Sequence, residues 1–294
     1  MKHLRSILAV SLCALAIAAL GACGKKPDAP TAPQSPQRIV SLSPAVTEIL
    51  YELGLGDKIV GDTRYCNYPP DAEKKQKVGD LHTVKEEQIL ALKPDLIIDT
   101  TSKEHEQMWK RMEAAGIRVE RFDINTIEGI YSAYAGIGKA TNTEEKAKEL
   151  AGALKQGFAD LRARTRNAQR PTTLFVVDPE NFVVAGKGTF VDGLLSDIAC
   201  LNPIQQPDWP GQPVMEEIIR MKPAVVIYSL NSSDLTAENE TKIRNDLAKK
   251  LPNVPAVRDN RIFFVNADIT TRPGPRMLKG WTEIAKLVHP ELFN

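Results

Sequence analysis

The sequence predicts an α/β protein in which two parallel-sheet α/β lobes are joined by one long rigid α-helix, with a ligand cleft between the lobes. Three observations predict this fold class. Apolar runs of strand length alternate with amphipathic helical segments, a pattern typical of parallel sheets. One segment recurs in each half of the chain, which indicates two similar lobes. Between the halves runs a stretch of about 25 residues without proline, long enough for a single connecting helix.

The chain begins with a targeting segment, and residues 1–22 are predicted to be a lipoprotein signal peptide. Lys2 and Arg5 precede an apolar run over residues 7–20, which is short for a membrane span. Small residues before Cys23 resemble a bacterial lipoprotein cleavage site. We therefore expect lipid on Cys23 and an extracytoplasmic location, in the periplasm or on the outer face of the cell membrane. The alternative is an ordinary signal peptide followed by an incidental cysteine.

The rest of the chain divides into four segments. Residues 23–37 are rich in proline and polar side chains and are predicted to be a lipidated tether. The folded body is predicted to comprise an N-terminal lobe over 38–140, a linker helix over 141–168 and a C-terminal lobe over 169–294. No apolar run in this body reaches the length of a membrane span.

The strands and helices of the two lobes have recognisable sequence signals. The predicted strands are 38–42, 95–99, 117–123, 172–177, 224–229 and 261–266. Ser43 and Pro44 are predicted to begin the first helix, which Gly54 ends. Thr83 and Glu86 have the spacing of a capping box for the next helix.

An internal repeat supports the division into two lobes. Residues 84–100 align without gaps with residues 213–229, and each copy reads as a helix, a Lys-Pro pair and a buried strand. A glutamate stands seven residues before each proline, at Glu87 and Glu216. Gene duplication explains the repeat, and a common chemistry of helix-to-strand turns is the alternative.

Charge and motifs exclude several function classes. Lys and Arg number 38 and Asp and Glu number 37, so the chain lacks the basic field of a nucleic-acid-binding protein. The sequence contains no nucleophile elbow, phosphate-binding loop or metal-ligand spacing, so a secreted α/β enzyme is the disfavoured alternative. We predict that His105 and His289 are solvated or capping, whereas His82 lies in a loop from which it could reach a ligand.

The two cysteines of the body leave one question open. Cys13 leaves with the signal peptide and Cys23 takes the lipid, so Cys66 and Cys200 remain in an oxidising compartment. They could form a disulfide or stay as two separate buried thiols.

Polar and aromatic side chains follow the predicted strands. Ligands of open α/β sheets bind beyond the carboxyl ends of the strands, where these side chains lie. The candidate ligand-binding residues are Ser43, Tyr65, Cys66, His82, Phe182, Trp209, Asp268 and Arg272. Core packing is the alternative role for the aromatic residues, and a local salt bridge is the alternative for Asp268 with Arg272.

Five segments of the body form a recognisable set: RIVSLSPAVTEILYELG, YCNYPP, VGD, ALKPDLII and RPGPR. From about Arg38 to the C-terminus the chain resembles periplasmic binding proteins with a rigid helical linker, which serve importers of cobalamin and ferric siderophores. Within that family it is most similar to the members that bind vitamin B12. The resemblance implies that Tyr65, Asp268 and Arg272 contact the ligand.

The resemblance also implies a function and its partners. We predict a monomeric, lipid-anchored binding protein that captures cobalamin and delivers it unaltered to an ABC permease and its ATPase. Glu87 and Glu216 would meet the permease, and no covalent cofactor or resident metal is required. Heme and ferric siderophores are alternative ligands, because two cleft tryptophans of the B12-binding members fall on Leu81 and Thr100 here.

Overall fold

The computed structural model describes residues 35–80, 83–101, 105–178, 180–211, 213 and 215–293. The predicted signal peptide, Cys23 and His82 lie outside the described residues, as does most of the predicted tether. Among the helices that are described, none combines the length and apolar character that crossing a membrane requires.

The first lobe is a five-stranded parallel sheet covered by helices. Its strands are β1 (Ile39–Ser41), β2 (Ile59–Asp62), β3 (Gln76–Lys77), β4 (Leu96–Thr100) and β5 (Arg118–Phe122), in the order β3-β2-β1-β4-β5. Its helices are α1 (Pro44–Glu52), α2 (Glu86–Ala91), α3 (Glu106–Ala114) and α4 (Ile127–Thr141). The three strands predicted for this lobe are confirmed, whereas β2 and the two-residue β3 were not predicted.

The ends of the helices follow the sequence only in part. Gly54 follows α1 with a φ of 79°, the left-handed conformation that ends a helix at little cost for glycine. The predicted capping box is wrong, because α2 begins at Glu86 after Lys85 and no side chain caps it. The amide of Thr83 instead donates to Asp80 at 2.7 Å and closes a tight turn.

The predicted linker is confirmed as one helix, α5 (Glu144–Thr165), which is 22 residues long. Its inward face buries Leu154 and Phe158 in a core that also contains Ile49 from the first lobe and Trp281 from the second. The helix packs against α4 on one side and against helices of the second lobe on the other. The linker is therefore part of the hydrophobic core that joins the lobes.

The second lobe is a four-stranded sheet with one antiparallel edge. Its strands are β6 (Thr173–Asp178), β7 (Val183–Val184), β8 (Val225–Leu230) and β9 (Ile262–Asn266), in the order β7-β6-β8-β9. Its helices are α6 (Phe190–Asp197), α7 (Met215–Met221), α8 (Ala237–Lys250), α9 (Pro255–Arg258), α10 (Ala267–Thr270) and α11 (Met277–Val288). The predicted parallel pairing holds for β6, β8 and β9, but β7 turns back on β6 and pairs antiparallel.

The internal repeat is a structural repeat. Lys93 and Lys222, which end the two copies of the helix, both adopt a φ of 46°. The residue that follows each Lys-Pro pair donates its amide hydrogen to a backbone carbonyl. The acceptor is the residue directly before β1 in the first lobe, at 2.9 Å, and directly before β6 in the second lobe, at 2.8 Å. The two helix-to-strand units therefore enter their sheets in the same way, and the two lobes present equivalent helices.

His105 and His289 were predicted to be solvated or capping. The solvated alternative is wrong, whereas each residue does occupy the cap position of a helix. His105 and His289 are both buried. His105 Nδ1 lies 2.8 Å from Asp99 Oδ2, which also accepts a hydrogen bond from Trp109 Nε1. His289 does follow the end of α11 as a capping residue, but its ring is buried against the carbonyl of Ile198 at 2.8 Å.

Candidate ligand-binding site between the lobes

Tyr65 is presented on the loop that follows β2. Its side chain is 39% exposed, and its hydroxyl accepts a hydrogen bond of 2.9 Å from Arg64 Nη2. The guanidinium of Arg64 also lies 4.9 Å from the centre of the tyrosine ring and pairs with Asp80 at 3.3 Å. Arg64 therefore orients the tyrosine and is itself partly neutralised.

An ion pair between a buried carboxylate and a half-buried lysine supports this loop. Lys77 Nζ donates to Asp62 Oδ1 at 2.8 Å and to the backbone carbonyls of Cys66 and Ala72 at 3.0 Å and 2.9 Å. Burial raises the pKa of the Asp62 carboxyl to about 6, although the hydrogen bond and charge of Lys77 oppose the shift. One ammonium group thus fixes both ends of the segment that carries Tyr65.

Ser43 and Cys66 were predicted to contact the ligand, but the structure places both beneath the loop. Cys66 Sγ is buried and accepts a hydrogen bond of 3.1 Å from Thr47 Oγ1. Ser43 occupies the N-cap position of α1 and is buried, and its hydroxyl caps no amide. Cys66 and Cys200 are both free thiols, so the alternative of a disulfide is wrong. The side chains of Ser43 and Cys66 are therefore both buried and do not form the surface of the site.

The second lobe contributes an acid and a base from the segment after β9. Asn266 caps α10 by accepting a hydrogen bond of 2.8 Å from the amide of Asp268. Asp268 Oδ1 pairs with Arg272 Nη2 at 2.6 Å, and Ser232 Oγ donates to Asp268 Oδ2 at 3.0 Å. The local salt bridge considered for these two residues is therefore present.

Asn67 connects the two groups of residues across the lobes. Its Nδ2 donates to Asp268 Oδ2 at 3.2 Å, and its Oδ1 accepts from Arg272 Nη1 at 2.6 Å. Because Asn67 lies two residues after Tyr65, the loop that follows β2 meets the segment that follows β9. The structure thus brings together the regions that the sequence nominated at opposite ends of the chain.

A second contact between the lobes lies beside the first. Arg276 forms a bidentate salt bridge with Glu48 of α1, with Nε–Oε2 at 2.8 Å and Nη2–Oε1 at 2.5 Å. The carboxylate is 3% exposed, and the guanidinium lies 3.8 Å from the centre of the Tyr68 ring. Burial of the guanidinium lowers the pKa of Arg276. The hydrogen bonds and the negative charge of Glu48 outweigh this effect, so the pKa of Arg276 lies above its ordinary value.

A small cavity lies beside the second contact, and a larger groove lies between two helices. A cavity of about 220 Å³, lined in part by Glu48, Tyr68 and Pro275, adjoins the second contact. A larger groove of about 630 Å³ runs between α4 and α5, away from both loops.

The two predicted aromatic residues of the second lobe differ in their surroundings. Phe182 is nearly buried and packs edge-on against Tyr228, so its role is the alternative one, packing in the hydrophobic core. Trp209 is 37% exposed, and its Nε1 donates to Oδ1 of Asn125, from the first lobe, at 2.7 Å. Phe190 supports the indole edge-on at 5.8 Å. Trp209 therefore forms a third bridge between the lobes.

The two glutamates predicted to meet a permease are exposed at corresponding places. Glu87 lies in the first turn of α2 and Glu216 in the first turn of α7. Neither takes part in an ion pair within the part of the chain that the structure describes.

Sequence reasoning missed several residues of the site. They are Glu48, Asn67, Lys77, Asn125 and Arg276. Glu48 has a signal in hindsight, because a carboxylate inside the apolar stripe of a helix needs a cationic partner. Asn67 and Asn125 carry no such signal, since a single amide in a loop fits many local roles.

The described residues contain no cluster of three or more His, Cys, Asp or Glu side chains that could hold a metal ion. The site instead combines two exposed tyrosines, Tyr65 and Tyr68, one exposed tryptophan and a carboxylate–guanidinium pair. Such a set can hold a flat ligand by its faces and orient it through hydrogen bonds at its edge.

Comparison with known proteins gives consistent results. A family model described as periplasmic binding protein matches residues 39–269. The uncharacterized ABC transporter substrate-binding lipoprotein YvrC of Bacillus subtilis (strain 168) is 31% identical over 265 residues, covering 88% of this chain and 82% of that protein. The vitamin B12-binding protein of Vibrio cholerae serotype O1 is 26% identical over 242 residues, covering 82% of this chain and 85% of that protein.

Solved structures share the fold. The crystal structure of the periplasmic vitamin B12-binding protein of Vibrio cholerae superposes with a TM-score of 0.75 and 25% identity, covering 87% of this chain and 98% of that one. A possible iron-binding (periplasmic solute-binding) protein from Staphylococcus epidermidis ATCC 12228 gives a TM-score of 0.74 and 27% identity, covering 87% of this chain and 100% of that one.

Proposed function

The chain belongs to the periplasmic binding protein family, and from that premise we propose that it captures a corrinoid of the vitamin B12 class. Members of the family are extracytoplasmic substrate-binding components of ABC importers and not enzymes, so the prediction of a non-enzymatic transport role is confirmed. The identity of the ligand is the part that we propose.

The observation that carries the proposal is the environment of the Asn67 carboxamide. Its NH₂ group donates to Asp268 and its carbonyl accepts from Arg272. Asp268 and Arg272 together therefore bind both the donor and the acceptor of one primary amide. The periphery of a corrin ring carries primary amide side chains. One such amide can take the place of Asn67 with the same donor and acceptor arrangement.

The alternatives fit this pair less well. Heme and many siderophores present carboxylates or other anionic groups, which Arg272 would attract but Asp268 would repel. The other cations at the loop are each paired with an acid: Arg64 with Asp80, Lys77 with Asp62 and Arg276 with Glu48. The site therefore lacks the surplus positive charge that an anionic chelate favours.

Ligand entry is an exchange of contacts in this proposal. The corrin amide replaces Asn67, and the flat body of the ligand packs against the exposed faces of Tyr65 and Trp209. Burial of apolar surface provides affinity at about 25 cal/mol per Å². No bond is formed or broken, and the ligand leaves unaltered.

Titration of the purified protein tests this directly. Cyanocobalamin, hemin and a ferric hydroxamate siderophore would be added separately while tryptophan fluorescence and calorimetric heat are recorded. We expect saturable one-to-one binding of cyanocobalamin alone. Tight binding of hemin or the siderophore without cyanocobalamin binding would contradict the proposal.

Variants of the amide-binding pair sharpen the test. Asp268→Asn and Arg272→Met should each weaken cyanocobalamin binding by about 10- to 100-fold, because a hydrogen bond to a charged group contributes about 1.5–3 kcal/mol. Asn67→Ala removes the internal competitor and should bind at least as tightly as the wild type. Arg258→Met, which breaks an exposed pair with Asp259 ahead of the start of β9, is the matched control. A loss of affinity in Asn67→Ala would show that Asn67 is a ligand contact and not a stand-in.

We also propose that Cys23 anchors the protein and that Glu87 and Glu216 dock it on the permease of its importer. Mass spectrometry of the chain from membranes should show lipid on Cys23, and Cys23→Ser should release the protein. Charge reversal of Glu87 and Glu216 together should abolish transport while ligand affinity is kept.

A further inference from the structure

Each lobe exposes a large aliphatic side chain beside its docking glutamate. Leu90 is 43% exposed and lies one helical turn after Glu87, and Ile219 is 49% exposed and lies one turn after Glu216. Large aliphatic side chains exposed to this degree are few among the described residues. Two of them stand next to the same kind of charge.

The two pairs occupy equivalent positions in the structural repeat. A shift of 129 residues converts Glu87 and Leu90 into Glu216 and Ile219. The residue before each aliphatic, Ile89 or Ile218, is fully buried in its own lobe. Both helices therefore turn the same face to the core and leave the same two side chains outside.

The glutamates of these pairs are available to a partner. Within the described residues Glu87 and Glu216 form no ion pair, whereas Glu86 is held by a bidentate contact with Arg111. Glu217 lies 3.8 Å from Arg220 in the other lobe. In each helix, the acid next to the repeated glutamate forms an ion pair within its own lobe. The repeated glutamate itself forms no ion pair with any residue that the structure describes.

Topology places both pairs on the side of the molecule that carries the ligand site. A helix that leads into a parallel strand through a short turn runs antiparallel to it, so its first turn lies near the carboxyl edge of the sheet. Glu87 and Glu216 lie in those first turns. The loops that follow β2 and β9 also start from the carboxyl edges of their sheets.

We propose that Leu90 and Ile219 are twin apolar anchors by which the protein docks on a permease with two-fold symmetry. This inference rests on the proposed docking role of Glu87 and Glu216 and extends it. Two equivalent patches on one chain match a partner that presents the same surface twice. The glutamates steer the approach to basic groups, and the aliphatic side chains provide the water-excluding contact at each patch.

The experiment uses the full chain and the permease–ATPase complex of its own importer, reconstituted in lipid nanodiscs. Dissociation constants for the complex are measured for the wild type, Leu90→Ser, Ile219→Ser and the double variant. Leu287→Ser is the matched control, because Leu287 is similarly exposed but lies on α11. Ligand affinity, measured with cyanocobalamin, and thermal unfolding are recorded for every variant.

Each single variant should weaken docking by about fivefold, since burial of the exposed half of such a side chain contributes about 1 kcal/mol. The two effects should be similar and should multiply to about 25-fold in the double variant. The control and all ligand affinities should be unchanged. Unaltered docking of the double variant, with docking lost in Glu87→Gln/Glu216→Gln, would overturn the anchors but keep the glutamates. Unaltered docking in both double variants, or no docking of the wild type, would overturn the proposed docking role as well.

Discussion

Asn67 connects the two lobes through both ends of its carboxamide. Its carboxamide uses its donor on Asp268 and its acceptor on Arg272, so the charged pair is satisfied while no ligand is bound. Loss of one hydrogen-bond partner from a buried or half-buried charged group costs free energy, even where its ion pair is kept. In the proposed function, affinity then depends on how well an amide of the ligand replaces the carboxamide of Asn67.

Asp62 gives a prediction at the same scale. Its carboxyl is fully buried and has a pKa of about 6, above its ordinary value of 3.8. A raised pKa means that the folded state binds the proton more tightly, so this stabilisation is complete below pH 3.8 and is lost as the pH rises through 6. Over that window the wild type should lose up to about 3 kcal/mol relative to Asp62→Asn.

Urea unfolding of both proteins between pH 3.5 and pH 8 measures this difference, with all other titrating groups common to the two. We expect the gap in the free energy of unfolding to move steadily in favour of Asp62→Asn as the pH rises through about 6. A gap that does not change with pH would show that Lys77 fully compensates the buried charge.

At the scale of elements, the joint between α4 and α5 depends on a glycine. A Cβ on Gly138 would lie 2.6 Å from the Cβ of Ala147, which is closer than two such atoms approach. Gly138→Ala should therefore force the helices apart and destabilise the fold by about 1–3 kcal/mol. Gly152 lies within α5 with no atom near the position of a Cβ, so Gly152→Ala should stabilise the fold by about 0.5–1 kcal/mol.

The free energy of unfolding in urea, followed by circular dichroism, compares the two variants with the wild type. Opposite signs are expected from the same chemical change on neighbouring helices. If Gly138→Ala were as stable as the wild type, the close approach of α4 and α5 would not be needed to join the lobes.

The elements that the sequence predicted are those whose signal is local. Six strands and the linker follow from apolar runs and from the lack of proline, and the Lys-Pro turns recur because each ends a helix in the same way. The edge strands β3 and β7 have two residues each, too few to form a pattern. Asn67 and Glu48 contact residues that lie about 200 positions away in the sequence. The order of polar and apolar residues in a short segment contains no information on such contacts.

At the scale of the whole molecule, two features connect the lobes. One is the hydrophobic core around α5, and the other is the salt bridge between Glu48 and Arg276 on the cleft side. The carboxylate is almost fully buried, and both of its oxygens accept from the guanidinium. A buried ion pair adds little net stability over an apolar pair, but removal of one partner leaves a charge without compensation. The contact therefore fixes the distance between the lobes more than it strengthens them.

A double-mutant cycle tests this role. Arg276→Met should lower the free energy of unfolding by about 3–5 kcal/mol, because Glu48 then remains buried and charged. Glu48→Met/Arg276→Met should recover most of that loss, since no uncompensated charge remains. Arg258→Met, which breaks an exposed pair with Asp259, should leave stability unchanged. Small-angle scattering should show a wider range of lobe separations in the double variant than in the wild type. If the double variant is as unstable as the single one, the pair provides net stability by itself and does not act mainly to set the separation of the lobes.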